Sequence, residues 1–273
     1  MDCSIIMNAT TKSEAAKHIL GQFDRVLIAF SGGVDSTLLA VLAKETLGVQ
    51  AVLAVTADSA SLARQDLAEA IQLAQELGLR HRVIYTQELS NPGYQQNTAL
   101  RCYFCKGELF QELEFLAKAE HIPTILYGAI GDDHAHERPG QRAAIEQGVR
   151  APLQEAGFTK AEIRQVARSL GLPNWNKPQN ACLSSRIAYG ISVTPQRLGQ
   201  IEQAEAYLKA QGFQQVRVRH HLTHASIEVG QDELSRLDDP QLRQTLCDRV
   251  LACGFSTVTI DPLGYHSTPA HQT

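Results

Sequence analysis

The segment Val26-Leu27-Ile28-Ala29-Phe30 runs directly into Ser31-Gly32-Gly33-Val34-Asp35-Ser36, and Leu38, Leu39, Val41 and Leu42 follow at helical spacing up to Gly48. An apolar run this short reads as a strand buried on both faces, the situation of a strand in a parallel sheet covered by helices. The turn between strand and helix places the unpaired N–H groups and positive dipole end of a helix beside two glycines, so an anion can reach the main chain without meeting a Cβ. Ser31 and Ser36 add hydroxyl donors. Asp35 repels a bare phosphate, so its natural role is to hold Mg²⁺ that in turn holds phosphates. No Gly-Lys-Ser/Thr is present, which excludes a Walker-type loop, and no third glycine stands at the spacing of a dinucleotide fold. A ligand-free tight turn is the plain alternative, and the strand-to-helix context weighs against it.

The alternation of apolar runs and helical patterns continues, which predicts an α/β fold with a parallel sheet and helices on both faces. Strands are expected over residues 25–30, 51–56, 81–85 and 124–127. Helices are expected over 12–20, capped by Thr11 and Glu14, over 36–47, over 62–77 up to Gly78, and over 97–118. Residues 128–156 form a polar stretch too long for a passive connection and are read as functional. Thr159 and Glu162 offer another capping box for a helix ending at Leu170-Gly171. Residues 172–193, around Trp175, are read as linker and site-forming loop. Beyond them a small α+β unit is expected. Its elements are a helix capped by Thr194 with Pro195 at its first position, half-exposed strands over 215–220 and 225–229, a helix over 239–253 and a strand over 256–261. The domains are accordingly drawn as 1–180 and 190–273.

With 25 Lys plus Arg against 29 Asp plus Glu, the 273-residue chain carries a formal charge of −4 and no long basic block. That balance argues against bulk nucleic-acid binding. No apolar run approaches the roughly 18 residues of a membrane span, and Met1-Asp2-Cys3-Ser4 lacks the features of a secretory signal. The expected location is the cytoplasm, where the six cysteines read as thiols or ligands rather than disulfides.

Arg101-Cys102-Tyr103-Phe104-Cys105-Lys106 puts two thiols on one face of a predicted helix. Cys182, in Ala181-Cys182-Leu183-Ser184-Ser185-Arg186, lies in the irregular loop. Parallel sheets gather ligands at the carboxyl ends of their strands, so a loop leaving there is positioned to bring Cys182 to the pair. Three readings stay open: thiolates holding a [4Fe–4S] cluster with one iron unligated by protein, Zn²⁺ completed by His134 or His136, or small buried hydrophobes. Cys3, Cys247 and Cys253 have only the last reading.

Arg217 and Arg219 alternate with Val216 and Val218, so both guanidinium groups leave one strand face, as a bidentate clamp for phosphate or carboxylate or as a solvated face. Arg186 carries the same proposal. Asp132, just after the fourth strand, is a candidate for Mg²⁺ and, with Asp133, for the nucleotide ribose, or a plain loop carboxylate. Lys106 is placed to meet developing negative charge, unless it is an ordinary exposed lysine. Thr56, closing the second strand, joins Ser31, Gly32, Gly33, Asp35 and Ser36 in the nucleotide-binding set.

The loop resembles that of the PP-loop ATP pyrophosphatases, which cleave ATP between the α and β phosphates while a substrate oxygen is adenylylated. The resemblance narrows along the chain. Tyr127-Gly128-Ala129-Ile130-Gly131-Asp132-Asp133, Arg138-Pro139-Gly140, Trp175-Asn176-Lys177, Ser184-Ser185-Arg186, Tyr189-Gly190, Val216-Arg217-Val218-Arg219 and the stretch from Asp261 to Tyr265 together resemble the LarE family of ATP-dependent sulfur transferases. That resemblance implies a small nucleotide substrate, a pyridinium biscarboxylic acid mononucleotide, whose carboxylate is adenylylated by ATP and converted to a thiocarboxylate in nickel-pincer nucleotide biosynthesis. It also singles out Glu205 as a substrate-site residue. A homo-oligomer is expected. Some family members sacrifice the sulfur of one cysteine; others hold a [4Fe–4S] cluster with three, and Cys102, Cys105 and Cys182 match that form. The alternatives are an amidotransferase-type synthetase of the NAD or GMP synthetase kind, a tRNA-thiolating enzyme, which the acidic balance disfavours, and a non-enzymatic cluster carrier.

Overall fold

Four strands, β1 (Val26–Ala29), β2 (Val52–Asp58), β3 (Arg80–Tyr85) and β4 (Thr124–Tyr127), pair in parallel in the order β3-β2-β1-β4. The structure is a computed structural model that describes residues 3–130, 139–178 and 181–265. The chain divides into two compact units, Met1–Glu88 with Cys102–Asn180 and Leu89–Arg101 with Ala181–Thr273.

In the first unit, alternate residues of the central strands enter different cores. Val26, Ile28, Val52 and Ala54 face the cluster formed with α1 (Cys3–Leu20), α2 (Val34–Leu47) and α8 (Lys160–Ser169). Leu27, Leu53 and Val55 face the opposite cluster, with Phe110 and Leu113 of α5 (Arg101–Ala119). Burial on both faces contributes about 1.5–3 kcal/mol for each large apolar side chain and explains why β1 is apolar without alternation. β2 and β3 lie to one side of β1 and β4 to the other, so the order reverses between β1 and β4. In open parallel sheets, ligands enter at the carboxyl ends of the strands at such a reversal.

Local signals set several boundaries. The Thr159 hydroxyl and the Glu162 side chain make the reciprocal bonds of a capping box at the start of α8. Thr11 does not cap: α1 begins at Cys3, leaving Thr11 inside the helix. The helix expected from residue 97 starts only at Arg101, as α5; the short α4 (Pro92–Gln95), capped by Asn91, precedes it, and Asn97 between them takes a φ of 51° that no helix continues through. The polar stretch also holds structure. It contains α6 (Pro139–Glu146) and α7 (Pro152–Glu155), and Arg150 bridges to one edge of β4 on either side of Leu126, its carbonyl accepting from Tyr127 N and its amide donating to Ile125 O, each at 3.0 Å. α3 (Arg64–Glu76) crosses between β2 and β3 as expected.

In the second unit, β5 (Val216–His221) and β6 (His224–Val229) are antiparallel, and β7 (Thr257–Ile260) adds in parallel to β6. α9 (Pro195–Ala210) starts at Thr194 with proline in its first turn, and α10 (Pro240–Ala252) starts at Asp239, whose carboxylate accepts from Gln241 N and Leu242 N. Leu208, Phe213, Val218, Ile227, Leu246 and Val250 form the core. The first two strands are not half-exposed as expected: β5 is buried at every position from Val216 to His220. Its arginines tolerate this because Arg219 is paired with a buried carboxylate and the Arg217 guanidinium lies over the Tyr265 ring. No helix among the described residues is long and apolar enough to cross a membrane.

Candidate functional site

The glycine turn is held from several directions within the first unit. Phe30 N continues the β1 ladder onto Val55 O at 2.8 Å, and the buried Thr56 hydroxyl donates to Phe30 O at 2.8 Å. Since that bond uses the only hydroxyl proton, the contact of Thr56 Oγ1 with His81 Nε2 at 2.8 Å requires the imidazole to donate. Burial lowers the His81 pKa, which keeps the ring neutral near pH 7. Gly32 has a φ of 68°, and a Cβ there would stand 2.9 Å from Ala70 Cβ on α3. Gly33 opens α2 with no side-chain cap, and its own amide donates to Ser31 Oγ at 3.3 Å. The Ser31 and Ser36 hydroxyls meet at 3.2 Å, and Ser36 Oγ donates to Gly33 O at 3.0 Å.

Three further residues complete this cradle, and none was singled out for it in the sequence. Gly128, one residue beyond β4, lies against the first turn of α2, where a Cβ would come 2.7 Å from Ser36 N. Asn174 donates from Nδ2 to Gly32 O at 3.0 Å and to Thr37 Oγ1 at 2.9 Å, while its buried Oδ1 has no partner among the described residues. Lys160 Nζ bonds both carboxylate oxygens of Asp35 at 2.7 Å. Asp35 is therefore an ion-paired group. The only local sign of Lys160 was a lysine in the first turn of a helix, where the dipole disfavours a cation. Asp132 lies outside the described residues, as do Asp133, His134 and His136.

The second unit concentrates charge around the cysteine loop. Arg186, 2% exposed, donates from Nε to Glu205 Oε1 at 2.9 Å and from Nη2 to Glu205 Oε2 at 3.2 Å; its Nη1 closes on the carbonyls of Ala181 and Cys182. Burial works against its charge, yet Glu205 outweighs that and holds its pKa above the ordinary value. Arg219 pairs with Glu228 at 2.7 Å, and its Nη1 reaches Ser185 O at 3.4 Å. Arg217 lies over the Tyr265 ring at 4.2 Å. Its pKa is lowered first by burial, and the repulsion of Arg186 and Arg219 adds to that while Tyr265 opposes it. Three guanidiniums against the Glu205 and Glu228 carboxylates leave a positive excess suited to an anion. Neither Arg217 nor Arg219 lies on a solvated face.

Sequence reasoning also missed the residues that hold this loop. The Tyr94 hydroxyl meets Ser184 Oγ, Arg101 Nη1 donates to Ser184 O at 2.8 Å, and Asn97 Nδ2 donates to the carbonyls of Ile187, Ala188 and Ile191. Asn97 is found from its positive φ, which sequence alone does not report.

Cys102 and Cys182 are exposed, Cys105 is half-exposed, and none is in a disulfide. Cys102 and Cys105 lie one turn apart on α5 in the first unit, and Cys182 leads a short 3-10 turn, Leu183–Arg186, in the second. Gly140 of α6 passes close to this part of α5: a Cβ there would stand 3.2 Å from Lys106 Cγ and 3.8 Å from Cys102 Cβ. Lys106 Nζ lies 5.6 Å over the Phe110 ring. By contrast, burial pushes the Cys247 and Cys253 thiols up, away from the thiolate form. Among the described residues, no three His, Cys, Asp or Glu side chains gather closely enough to hold a metal ion.

The sequence pattern of the NAD synthase family matches residues 10–102. An uncharacterised protein of Synechocystis is 42% identical over 94% of this chain and 96% of its own length. The pyridinium-3,5-bisthiocarboxylic acid mononucleotide synthase of Lactiplantibacillus plantarum is 36% identical over 96% of this chain and 95% of its own. A tRNA-specific 2-thiouridylase of Rhizobium johnstonii is more distant, 28% identical over 62% of this chain and 52% of its own.

Proposed function

The chain belongs to the LarE family, and on that premise we propose that it is an ATP-dependent sulfur transferase acting on a pyridinium biscarboxylic acid mononucleotide. A carboxylate is a poor electrophile. In the first step a carboxylate oxygen of the substrate attacks the α-phosphorus of ATP, the bond to the β-phosphate oxygen breaks, and pyrophosphate leaves. In the second, a sulfur nucleophile attacks the acyl carbon, the acyl C–O bond breaks, and AMP leaves with the electron pair.

The observation that carries this reading is the uncapped start of α2 between Gly32 and Gly128 at the reversal of strand order. A turn whose carbonyls are already held by Thr56 and Asn174, and whose serine hydroxyls pair, needs no reorganisation for its amides to receive the charge that builds on departing pyrophosphate. Asp35, once released from Lys160, is the residue that would hold Mg²⁺, and that ion would supply charge neutralisation to the phosphates. Arg217, supported by Arg186 and Arg219, is proposed to take the phosphate or a second carboxylate of the mononucleotide. Glu205 keeps Arg186 in place; Lys106 is proposed to meet the adenylate.

The donor chemistry of Cys102, Cys105 and Cys182, exposed or half-exposed thiols with two at one-turn spacing, fits three corners of a [4Fe–4S] cluster. When bound, such a cluster would supply an iron without a protein ligand, able to carry sulfide. A second reading, in which Cys182 gives up its own sulfur, is favoured by its exposure and by the grip of Arg186 on its carbonyl. Cytoplasmic location and homo-oligomeric assembly are part of the proposal.

The test is anaerobic purification, iron and sulfide counts, and incubation with ATP, Mg²⁺ and the dicarboxylate mononucleotide. Release of pyrophosphate and AMP with formation of a thiocarboxylate is the expected result. An amide formed with ammonia, with Cys182→Ala as active as the parent, would transfer the chain to the synthetases. A colourless protein that loses one sulfur from its own mass per turnover would establish the sacrificial reading.

A further inference from the structure

We propose that His221 is a phosphate-binding residue that extends the anion site of Arg217 and Arg219 along one face of the second unit's sheet, so that the mononucleotide lays a carboxylate at Arg217 and its phosphomonoester at His221. The inference rests on the substrate reading given above and adds the order in which the two anionic groups lie.

That sheet has two unlike faces. Successive side chains alternate across a strand, and Val216, Val218, Ile227 and Ile260 point into the core. On the other face β5 presents Arg217, Arg219 and His221, and the register sets these opposite Glu228, Ser226 and His224 of β6. β7 adds Thr257 beside His224 and Thr259 beside Ser226. None of the three strands places an aliphatic side chain on this face. Two guanidiniums against one carboxylate leave it positive, which suits an anionic ligand. Burial falls along the face: Arg217, Arg219 and Glu228 are buried, His221 and His224 are half-buried, and Thr257 and Thr259 are exposed. His221 lies four residues from Arg217, roughly 13 Å along an extended strand. A mononucleotide carries its ring carboxylates and its phosphate on opposite sides of the ribose, so its anionic groups match a row with donors at both ends.

The surroundings of His221 are fixed while its own ring nitrogens stay available. Its cross-strand partner His224 is held on both sides, with Nδ1 2.9 Å from Thr257 Oγ1 and Nε2 3.0 Å from Thr259 Oγ1. The His221 ring lies beside it at a centroid distance of 6.0 Å. Neither nitrogen of His221 is hydrogen-bonded among the described residues. Burial lowers the His221 pKa, His224 and Arg219 add to that, and Glu228 opposes it. The ring is therefore neutral near pH 7 and keeps one N–H to donate. A phosphomonoester carries about −1.5 to −2 charges and three acceptor oxygens at that pH, so it accepts from several donors at once. A carboxylate is planar and is matched by one guanidinium fork. Removing a dianion from water also costs more than removing a single carboxylate. The carboxylate accordingly goes to Arg217 at the buried end, and the phosphate to His221 at the end open to water.

Titration calorimetry of the full chain with the dicarboxylate mononucleotide, and with the corresponding nucleoside that lacks the phosphate, tests the proposal. The parent is expected to bind the mononucleotide about tenfold or more tightly than the nucleoside. His221→Leu is expected to weaken mononucleotide binding about tenfold, the scale of one hydrogen bond to a charged group, and to change nucleoside binding by less than about twofold. His221→Gln keeps an N–H donor and retains part of the preference. Arg217→Met weakens both ligands alike, since both carry the carboxylates. An equal loss for the two ligands in His221→Leu overturns the proposal, because His221 would then only support the sheet; no loss at all overturns it as well. Far-ultraviolet circular dichroism and thermal melts of each variant exclude unfolding as the cause. A parent that binds neither ligand defeats the substrate reading and this inference with it, an outcome distinct from a parent that binds both equally, which overturns the phosphate site alone.

Discussion

The side-chain amide of Asn174 donates to the Gly32 carbonyl at 3.0 Å and to the Thr37 hydroxyl at 2.9 Å, tying the chain beyond Pro173 to the loop that follows β1. Asn174→Ala leaves the Gly32 carbonyl without this donor, a loss of about 1–3 kcal/mol in loop order. The expected result is a rise of roughly tenfold or more in KM for ATP with a smaller change in kcat. Asn174→Asp turns a carboxylate oxygen onto that carbonyl and should bind ATP more weakly still. Steady-state pyrophosphate release checks both, and an unchanged KM in both variants refutes the role.

Glycine-to-alanine substitution is expected to have opposite signs at two positions. At Gly128 the new methyl would stand 2.7 Å from Ser36 N, a backbone atom that has no freedom to give way. Overpacking of about 1–3 kcal/mol and loss of ATP binding follow. Gly199 sits inside α9 with nothing within 4 Å of the added methyl. There alanine stabilises by about 0.5–1 kcal/mol through helix propensity. Urea melts of the two variants give the comparison.

Removing Glu205 strands the Arg186 guanidinium, and it also takes the acceptor from Val218 N at 3.0 Å. Glu205→Ala should cost about 3–5 kcal/mol, the scale for breaking a buried pair at one partner. Replacing both partners with Met and Leu should recover much of that stability while abolishing sulfur transfer. A double variant as unstable as the single one would show that packing, not the orphaned charge, is responsible.

His220 is buried against Phe255, with ring centroids 5.0 Å apart, and its Nε2 meets Gln200 Oε1 at 3.2 Å. Burial, with the positive charge of Arg197 and the neighbouring His221, lowers its pKa to about 4. The unfolded chain takes up a proton at this ring near pH 6.5, whereas the folded one refuses it until about pH 4. This contribution is complete above pH 6.5 and falls away as pH drops from there to about 4, a change of about 2–3 kcal/mol. His220→Gln should flatten the pH dependence of the urea midpoint over that window relative to the parent. An identical slope would locate the effect elsewhere.

Under anaerobic reconstitution, Cys102→Ala, Cys105→Ala and Cys182→Ala should each lower bound iron and sulfide, while Cys247→Ala and Cys253→Ala should not. The distinction follows from the thiols that are exposed or half-exposed in the first set and raised in pKa by burial in the second.

Much of the architecture was legible locally. The unbroken apolar run of β1, the capping box at Thr159 and the proline after Thr194 are short-range signals, because burial on both faces, helix-end bonding and a fixed φ act on neighbouring residues. The same logic placed the loop at Ser31-Gly32-Gly33, since a strand meeting a helix exposes main-chain donors wherever that junction falls. It failed at Asn97, whose left-handed backbone divides α4 from α5 and is stabilised by carbonyls near residue 190. It failed again at β5, read as half-exposed because arginines alternate with valines; pairing with Glu228, nine residues away, let Arg219 be buried. Which side chains complete the cradle was decided by tertiary structure alone. Lys160 and Asp35 are 125 residues apart, and Asn174 and Gly32 are 142 apart. Hydrogen bonds and ion pairs depend on distance in space, and a one-dimensional pattern carries that distance only over a few turns of chain.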